Sequence, residues 1–140
     1  MRSADGLAGW HLVRPEGAEF TFRSCWRYSP WSKPVKKAYC RYDGYANTLT
    51  MAAARNSLAK KIRNLPGDCY LPSRAESALL YAVIPEQFRE NWHWTSTQHS
   101  CEEAWGQNFT QGYQSSTHLT QDAEGWCLVV RRVPIENSAA

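Results

Sequence analysis

Four histidines, five cysteines and thirteen acidic residues are the groups with which this chain of 140 residues could do chemistry. Nucleophilic catalysis needs a Ser or Cys beside a His base, with a third group to orient the pair. His11, His93, His99 and His118 are present, but no nucleophile elbow, phosphate-binding loop or zinc-protease helix surrounds them. The acids Glu102 and Glu103 are adjacent on one segment, where they read as a solvated turn rather than as a general acid and base. Zinc takes close cysteine pairs of the C-x-x-C kind. Cys25, Cys40, Cys69, Cys101 and Cys127 supply no such pair, and the spacing of His93, His99, Cys101, His118 and Cys127 fits no common ligand pattern. An odd number of cysteines without a secretory leader points to reduced, buried or half-buried thiols. The expectation is no metal, no cofactor and no enzyme.

Recognition chemistry is better represented. Seven Trp and seven Tyr stand against four Phe, so the aromatic surplus is in rings that carry a polar handle. Between Cys25 and Tyr45 these rings interleave with cations. The candidate binding residues are Trp26, Trp31, Lys36, Lys37, Tyr39, Arg41 and Tyr42. Up to Arg63 there are 12 Lys and Arg against four acids, and from Asn64 onward four Arg against nine acids, so +8 and −5 give the net +3. Two such halves could neutralise each other across one fold, or present charge to a partner.

The elements that must hold these residues follow from pattern. Length and composition suit one soluble domain. Residues 1–19 read as a loose lead-in and Glu19–Arg23 as a short strand. The segment 20–45 is a basic, aromatic-rich excursion, broken by Pro30, Pro34 and Gly44. Met51, Ala54, Leu58, Ile62 and Leu65 fall on one helical face behind a Thr48 or Thr50 cap, and Pro66-Gly67 stops that helix. A second helix opens with the capping box Ser73-Arg-Ala-Glu76 and closes at Pro85. Strands follow at 92–97, 104–109 and 113–119, the last two joined by a Gln111-Gly112 turn, and at 126–133, before a tail over 134–140. Two helices and a meander of short antiparallel strands make an α+β plan. No apolar run approaches a membrane span, and no leader is read at the N-terminus, so a cytoplasmic protein is expected.

The order Leu71-Pro-Ser-Arg-x-Glu76-x-x-x-Leu80-Tyr81, Trp94-Thr-Ser-Thr97, Ala104-Trp105, Phe109-x-x-Gly112 and Val130-Arg-x-Val133 resembles the Lcl C-terminal domain family, over residues 46–133. That family is common in bacteria and their phages and is similar to C-type-lectin-like and formylglycine-generating-enzyme folds. The resemblance implies a C-type-lectin-like architecture in a phage or prophage protein. It implies a core filled by Trp94, Trp105 and Trp126, with Trp92 beside them. It also gives Ser73 and Glu76 structural roles, and sets Arg131 to tie a loop to the sheet. The Trp94-Thr-Ser-Thr97 hydroxyls are expected to bond local backbone. Calcium-dependent sugar motifs are missing, and only position relates Cys101 and Cys127 to the reactive cysteines of the oxidase group.

The function expected from these readings is binding. A host protein ranks first as partner, in the manner of a phage-encoded inhibitor of a host complex, which the resembled family's occurrence in phages implies. The aromatic-rich 26–45 excursion would supply the anchors, since Trp, Tyr and Arg dominate interface energetics. A calcium-independent site for a sulfated or phosphorylated glycan ranks second and would place the chain in a virion, as a tail module. A single-stranded nucleic acid ranks third, since interleaved rings and cations suit bases and backbone.

Overall fold

A computed structural model describes residues 10–26, 35, 37–89, 91–100, 103–116, 121 and 123–134. The fold is mixed α+β. Strand β1 (Trp10–Val13) and strand β2 (Thr21–Cys25) come first, joined through a short 3-10 turn at Ala18–Phe20. Three helices follow: α1 (Gly44–Ala53), α2 (Ser57–Arg63) and α3 (Arg74–Val83). Strands β3 (Trp92–Gln98), β4 (Ala104–Asn108), β5 (Gln114–Ser115), β6 (Glu124–Leu128) and β7 (Arg131–Pro134) complete the described chain. Five strands form one sheet in the order β2-β6-β3-β4-β5, and β1 pairs with β7 in a separate ladder. All pairings are antiparallel except that of β3 with β6.

Strand alternation divides the core between the two faces of the sheet. Trp94 and Cys127 point into one cluster with Trp26, Met51, Leu58, Ile62 and Val129. Leu128 points into a second with Tyr70, Leu80 and Val130, flanked by Leu12, Ile84 and Phe88. Helix α2 thus packs with the first cluster and α3 with the second, while α1 reaches both, through Met51 and Tyr45.

Several expectations change here. The single helix from Thr48 or Thr50 is two helices. Asp43 caps α1, its side chain accepting from the Ala46 N–H at 2.9 Å, and Asn56 caps α2 by accepting from Ala59 N–H at 2.9 Å. Between them Arg55 takes a left-handed backbone, φ 63°. The break gives Asn56 a second partner, because its Nδ2 donates to the Trp26 carbonyl at 2.9 Å. The apolar periodicity survives the break: Met51, Leu58 and Ile62 are fully buried, with Ala54 and Leu65 packed at the margin.

The lead-in expected over 1–19 contains β1, whose register runs from Trp10 opposite Pro134 to Val13 opposite Arg131. The segment 20–45 contains β2, paired along its length with β6, so the sheet begins well before residue 46. The expected final strand over 126–133 changes neighbours midway. Val129 donates to Phe20 O at 3.0 Å, Val130 exchanges bonds with Tyr70, and β7 then joins β1 rather than the main sheet. The β4–β5 turn forms as expected around Gly112, φ 87°, with Asn108 Oδ1 accepting from both Thr110 and Gln111 N–H. Residues 117–119 and 135–140 of the expected strand and tail lie outside the described residues.

The capping box of α3 is present and does more than cap. Glu76 is fully buried. Its Oε1 accepts from Ser73 N–H at 3.1 Å and from Gly44 N–H at 2.8 Å, while its Oε2 accepts from the Tyr70 hydroxyl at 2.5 Å. One carboxylate thereby fastens the starts of α1 and α3 to each other. Gly44 is required by the close approach: a Cβ there would lie 2.5 Å from Leu71 O and 2.6 Å from Ser73 N. The Glu76 carboxylate and the low dielectric around it push the Tyr70 hydroxyl far above its ordinary range, burial being the largest cause.

Candidate functional site

Residues Ala38–Tyr42 form a ledge whose backbone is tied to the core while its larger side chains face solvent. The ties come from three elements. From β3, Gln98 N–H donates to Ala38 O at 2.8 Å and the Thr97 hydroxyl donates to Cys40 O at 3.0 Å. From α1, Asn47 brackets Cys40: its Nδ2 donates to Cys40 O at 2.6 Å and its Oδ1 accepts from Cys40 N–H at 3.0 Å. From α3, Ala75 N–H donates to Arg41 O at 3.0 Å. Asn47, Thr97 and Gln98 are all buried, so these bonds sit in low dielectric and resist exchange with water.

The side chains point the other way. Tyr39 is 53% and Tyr42 56% exposed, among the largest exposed apolar surfaces of the described chain. Lys37, Cys40 and Arg41 are exposed beside them, and Lys37 holds a left-handed backbone, φ 69°. Next to the ledge, the Arg74 guanidinium lies 3.5 Å from the Trp105 ring centroid, and its Nε donates to Gln114 Oε1 at 3.2 Å. Burial, and then the like charge of Arg41, hold the Arg74 guanidinium below its ordinary value. Among the described residues neither arginine has a carboxylate within 4.0 Å. Two uncompensated guanidinium groups therefore stand beside two exposed tyrosines.

Of the expected binding residues, the structure brings together Lys37, Tyr39, Arg41 and Tyr42. Trp31 and Lys36 lie outside the described residues. Trp26 requires correction. It is fully buried, its Nε1 donates to Thr95 O at 3.0 Å, and its ring packs in the core with Trp94. Its place on β2's exit, directly over α2, makes it a core anchor and removes it from any recognition surface.

The opposite correction applies to two tryptophans expected in the core. Trp105 is half-buried beneath Arg74, and Trp126 is half-buried with Arg23 and Arg89 each about 5.5 Å from its ring. Cations cover these rings where apolar neighbours were expected. Trp92 is likewise half-buried, its ring edge-on to Tyr113. Trp94 alone of this group is buried as expected, donating to Ser24 O at 3.0 Å. Arg131 is exposed on β7 with its stem 3.6 Å from the position a Gly67 Cβ would occupy, so it lies against the Pro66-Gly67 turn.

Thr97, Asn47 and Gln98 position the ledge; of the three the sequence singled out Thr97 alone, and in another role. The Thr97 hydroxyl was expected to bond local backbone. Instead it reaches Cys40, 57 positions away, and accepts from Arg74 N–H at 3.1 Å. Thr95 bonds across to Trp105 O at 2.7 Å.

The remaining titratable groups are apart from the ledge's exposed face. His93 is buried between Phe88 and Phe109, and burial holds its imidazole at about 4. His99 lies 3.7 Å from Glu103, both part-exposed, and His11 is exposed on β1. His118, Glu102 and Cys101 lie outside the described residues. Cys40, Cys69 and Cys127 are free thiols; burial raises Cys127 and, less strongly, Cys69. Among the described residues no three His, Cys, Asp or Glu side chains converge as metal ligands, and no helix is long and apolar enough to cross a membrane. Ion pairs between the basic and acidic halves occur at Arg23–Glu124, 3.5 Å, and Arg63–Asp68, 2.6 Å. Compared with protein-family models, curated proteins and solved structures, the chain finds no match.

Proposed function

We propose that this chain is a non-enzymatic binding protein of C-type-lectin-like fold that holds a partner protein on the Ala38–Tyr42 ledge. The observation that carries the reading is the fixed backbone beneath free side chains. Every residue of the run Ala38, Cys40 and Arg41 has a main-chain group bonded to β3, α1 or α3, while Tyr39 and Tyr42 stay more than half exposed. A segment already ordered loses little entropy on binding, and tyrosine and arginine are the side chains that most often carry interface energy. The uncompensated Arg41 and Arg74 select an acidic surface on that partner.

A glycan or single-strand platform needs several rings along a groove. The burial of Trp26 withdraws one expected ring from that set, and among the described residues Tyr39 and Tyr42 remain, which favours a protein. The source in view is a phage or prophage, and the partner a cytoplasmic protein of the bacterial host, bound as an inhibitor would bind.

The test is capture from bacterial lysate with the full chain and with a Tyr39→Ala/Arg41→Ala/Tyr42→Ala variant. The expected result is a stoichiometric protein recovered by the first and lost by the second. Equal recovery by both refutes the ledge. A blank capture together with a positive glycan array, or with single-strand binding that falls steeply with salt, transfers the function to that ligand.

A further inference from the structure

Segments far apart in sequence meet around a cleft of about 420 Å³. Arg14 enters it from the end of β1, Thr21 from the start of β2, and Glu86, Phe88 and Arg89 from the chain after α3. The walls are held in place by the fold. Thr21 pairs with Leu128, Phe88 N–H donates to Pro85 O at 3.2 Å, and the Phe88 ring stacks on Phe109 with centroids 4.2 Å apart. Elsewhere Arg23 pairs with Glu124 and Arg63 with Asp68. Arg14, Glu86 and Arg89 line one space, yet among the described residues none has an ion-pair partner within 4.0 Å. Arg89 lies 5.4 Å from the Trp126 ring centroid. Arg14 is half-buried, and its Nε is sealed from solvent with no hydrogen-bond acceptor. A guanidinium taken partly out of water loses free energy that an acceptor ordinarily returns. Glu19 lays its carboxylate against Gly17, a residue of the cleft wall, so two cations and two acids surround the space.

We infer that this cleft binds a small ligand of both charges, a free α-amino acid with an apolar side chain. Its carboxylate bridges Arg14 and Arg89, whose planar, two-pronged donors match a carboxylate. Its ammonium meets Glu86, and its side chain lies along Phe88. Three features select this class. The charges of the cleft balance, so a ligand carrying both signs satisfies them, whereas Glu86 and Glu19 repel a simple anion. The volume falls in the range of small-molecule sites. The Phe88 ring gives one apolar surface beside the charges, which is what a single side chain needs. The cleft shares no residue with the Ala38–Tyr42 ledge, so it stands whether or not the ledge holds a protein.

The test is a nuclear magnetic resonance titration of the full chain with L-leucine and with L-phenylalanine. Ligands of this size bind with Kd between about 10 μM and a few mM, so the titration runs to about 10 mM. The expected result is a saturable shift with at least one of them, at the amides of residues 13–21 and 86–89 and not at 38–42. The deaminated acid and the decarboxylated amine of the amino acid that binds are each expected to be about tenfold or more weaker. Arg14→Lys, which keeps the charge but loses the fork, weakens binding by about tenfold. Glu86→Gln, at an exposed position, abolishes the preference for the amino acid over its deaminated acid. No saturable shift with either amino acid overturns the inference. So does inorganic phosphate or the deaminated acid binding as tightly as the amino acid, or an affinity unchanged in either variant.

Discussion

Removing the Glu76 carboxylate tests the construction of the ledge from beneath. Glu76 accepts from two main-chain N–H groups, Gly44 and Ser73, and from the Tyr70 hydroxyl, and all four residues are buried. In Glu76→Ala these three donors lose their acceptor inside the core. Each buried unsatisfied donor costs about 1–3 kcal/mol, and neighbours in one network add incompletely, so the total is roughly 3–6 kcal/mol. Set against about 5–15 kcal/mol for a whole domain, that is enough to threaten folding. Glu76→Gln is the sharper probe because it keeps the shape. Its carboxamide oxygen can still serve one side of the knot, but its NH2 faces a donor, and the cost is about 1–3 kcal/mol. Urea unfolding followed by tryptophan fluorescence suits a chain whose Trp26 and Trp94 are fully or nearly fully buried. With a slope of about 1–3 kcal/mol per molar urea, a 2 kcal/mol loss moves the midpoint by about 1 M. A coupling near zero between Tyr70→Phe and Glu76→Gln, or a Glu76→Gln midpoint equal to wild type, would refute the bridging role.

Other outcomes follow from single sites. Thr97→Val removes the hydroxyl that joins Cys40 O to Arg74 N–H; it is expected to cost about 1–2 kcal/mol and to raise amide exchange at residues 38–41, and unchanged exchange would contradict the tie. Burial holds His93 at about 4 against an unfolded value of 6.5, so the folded state keeps it neutral. Stability from this site is complete above pH 6.5 and is lost as pH falls toward 4, by about 3 kcal/mol in total, and His93→Phe should flatten that part of the stability–pH curve. In the native protein the exposed Cys40 should react with a maleimide well before the buried Cys69 and Cys127, as peptide mapping of a short pulse will show; simultaneous labelling would contradict the burial.

Much of the fold was legible because its signals are local. The Ser73–Glu76 box, the apolar face through Met51, Leu58 and Ile62, and the Gly112 turn each depend on residues within a few positions of one another. The break at Arg55 was hidden because its reason is tertiary. Asn56 ends one helix, begins the next and holds the Trp26 carbonyl 30 positions back. The same distance reversed the tryptophans. Nothing near Trp26 in sequence shows that α2 and β3 enclose it, and nothing near Trp105 shows that Arg74 covers it. At the ledge, ring and cation types singled out Tyr39, Arg41 and Tyr42, which the structure leaves exposed. Of the side chains that hold them, Asn47 was invisible and Thr97 was given only local partners, because a buried Asn or Thr has no pattern until its distant partner is known.

The central claim is that the ledge touches the partner, and site-specific photo-crosslinking measures that contact. A photoreactive phenylalanine is placed at Tyr42 on the ledge and, separately, at Leu49, which is 41% exposed on α1. The account predicts one discrete protein adduct from position 42 and none from position 49, the adduct disappearing when Arg41→Ala is added. Adducts of equal yield at both positions, or from position 49 alone, would contradict it.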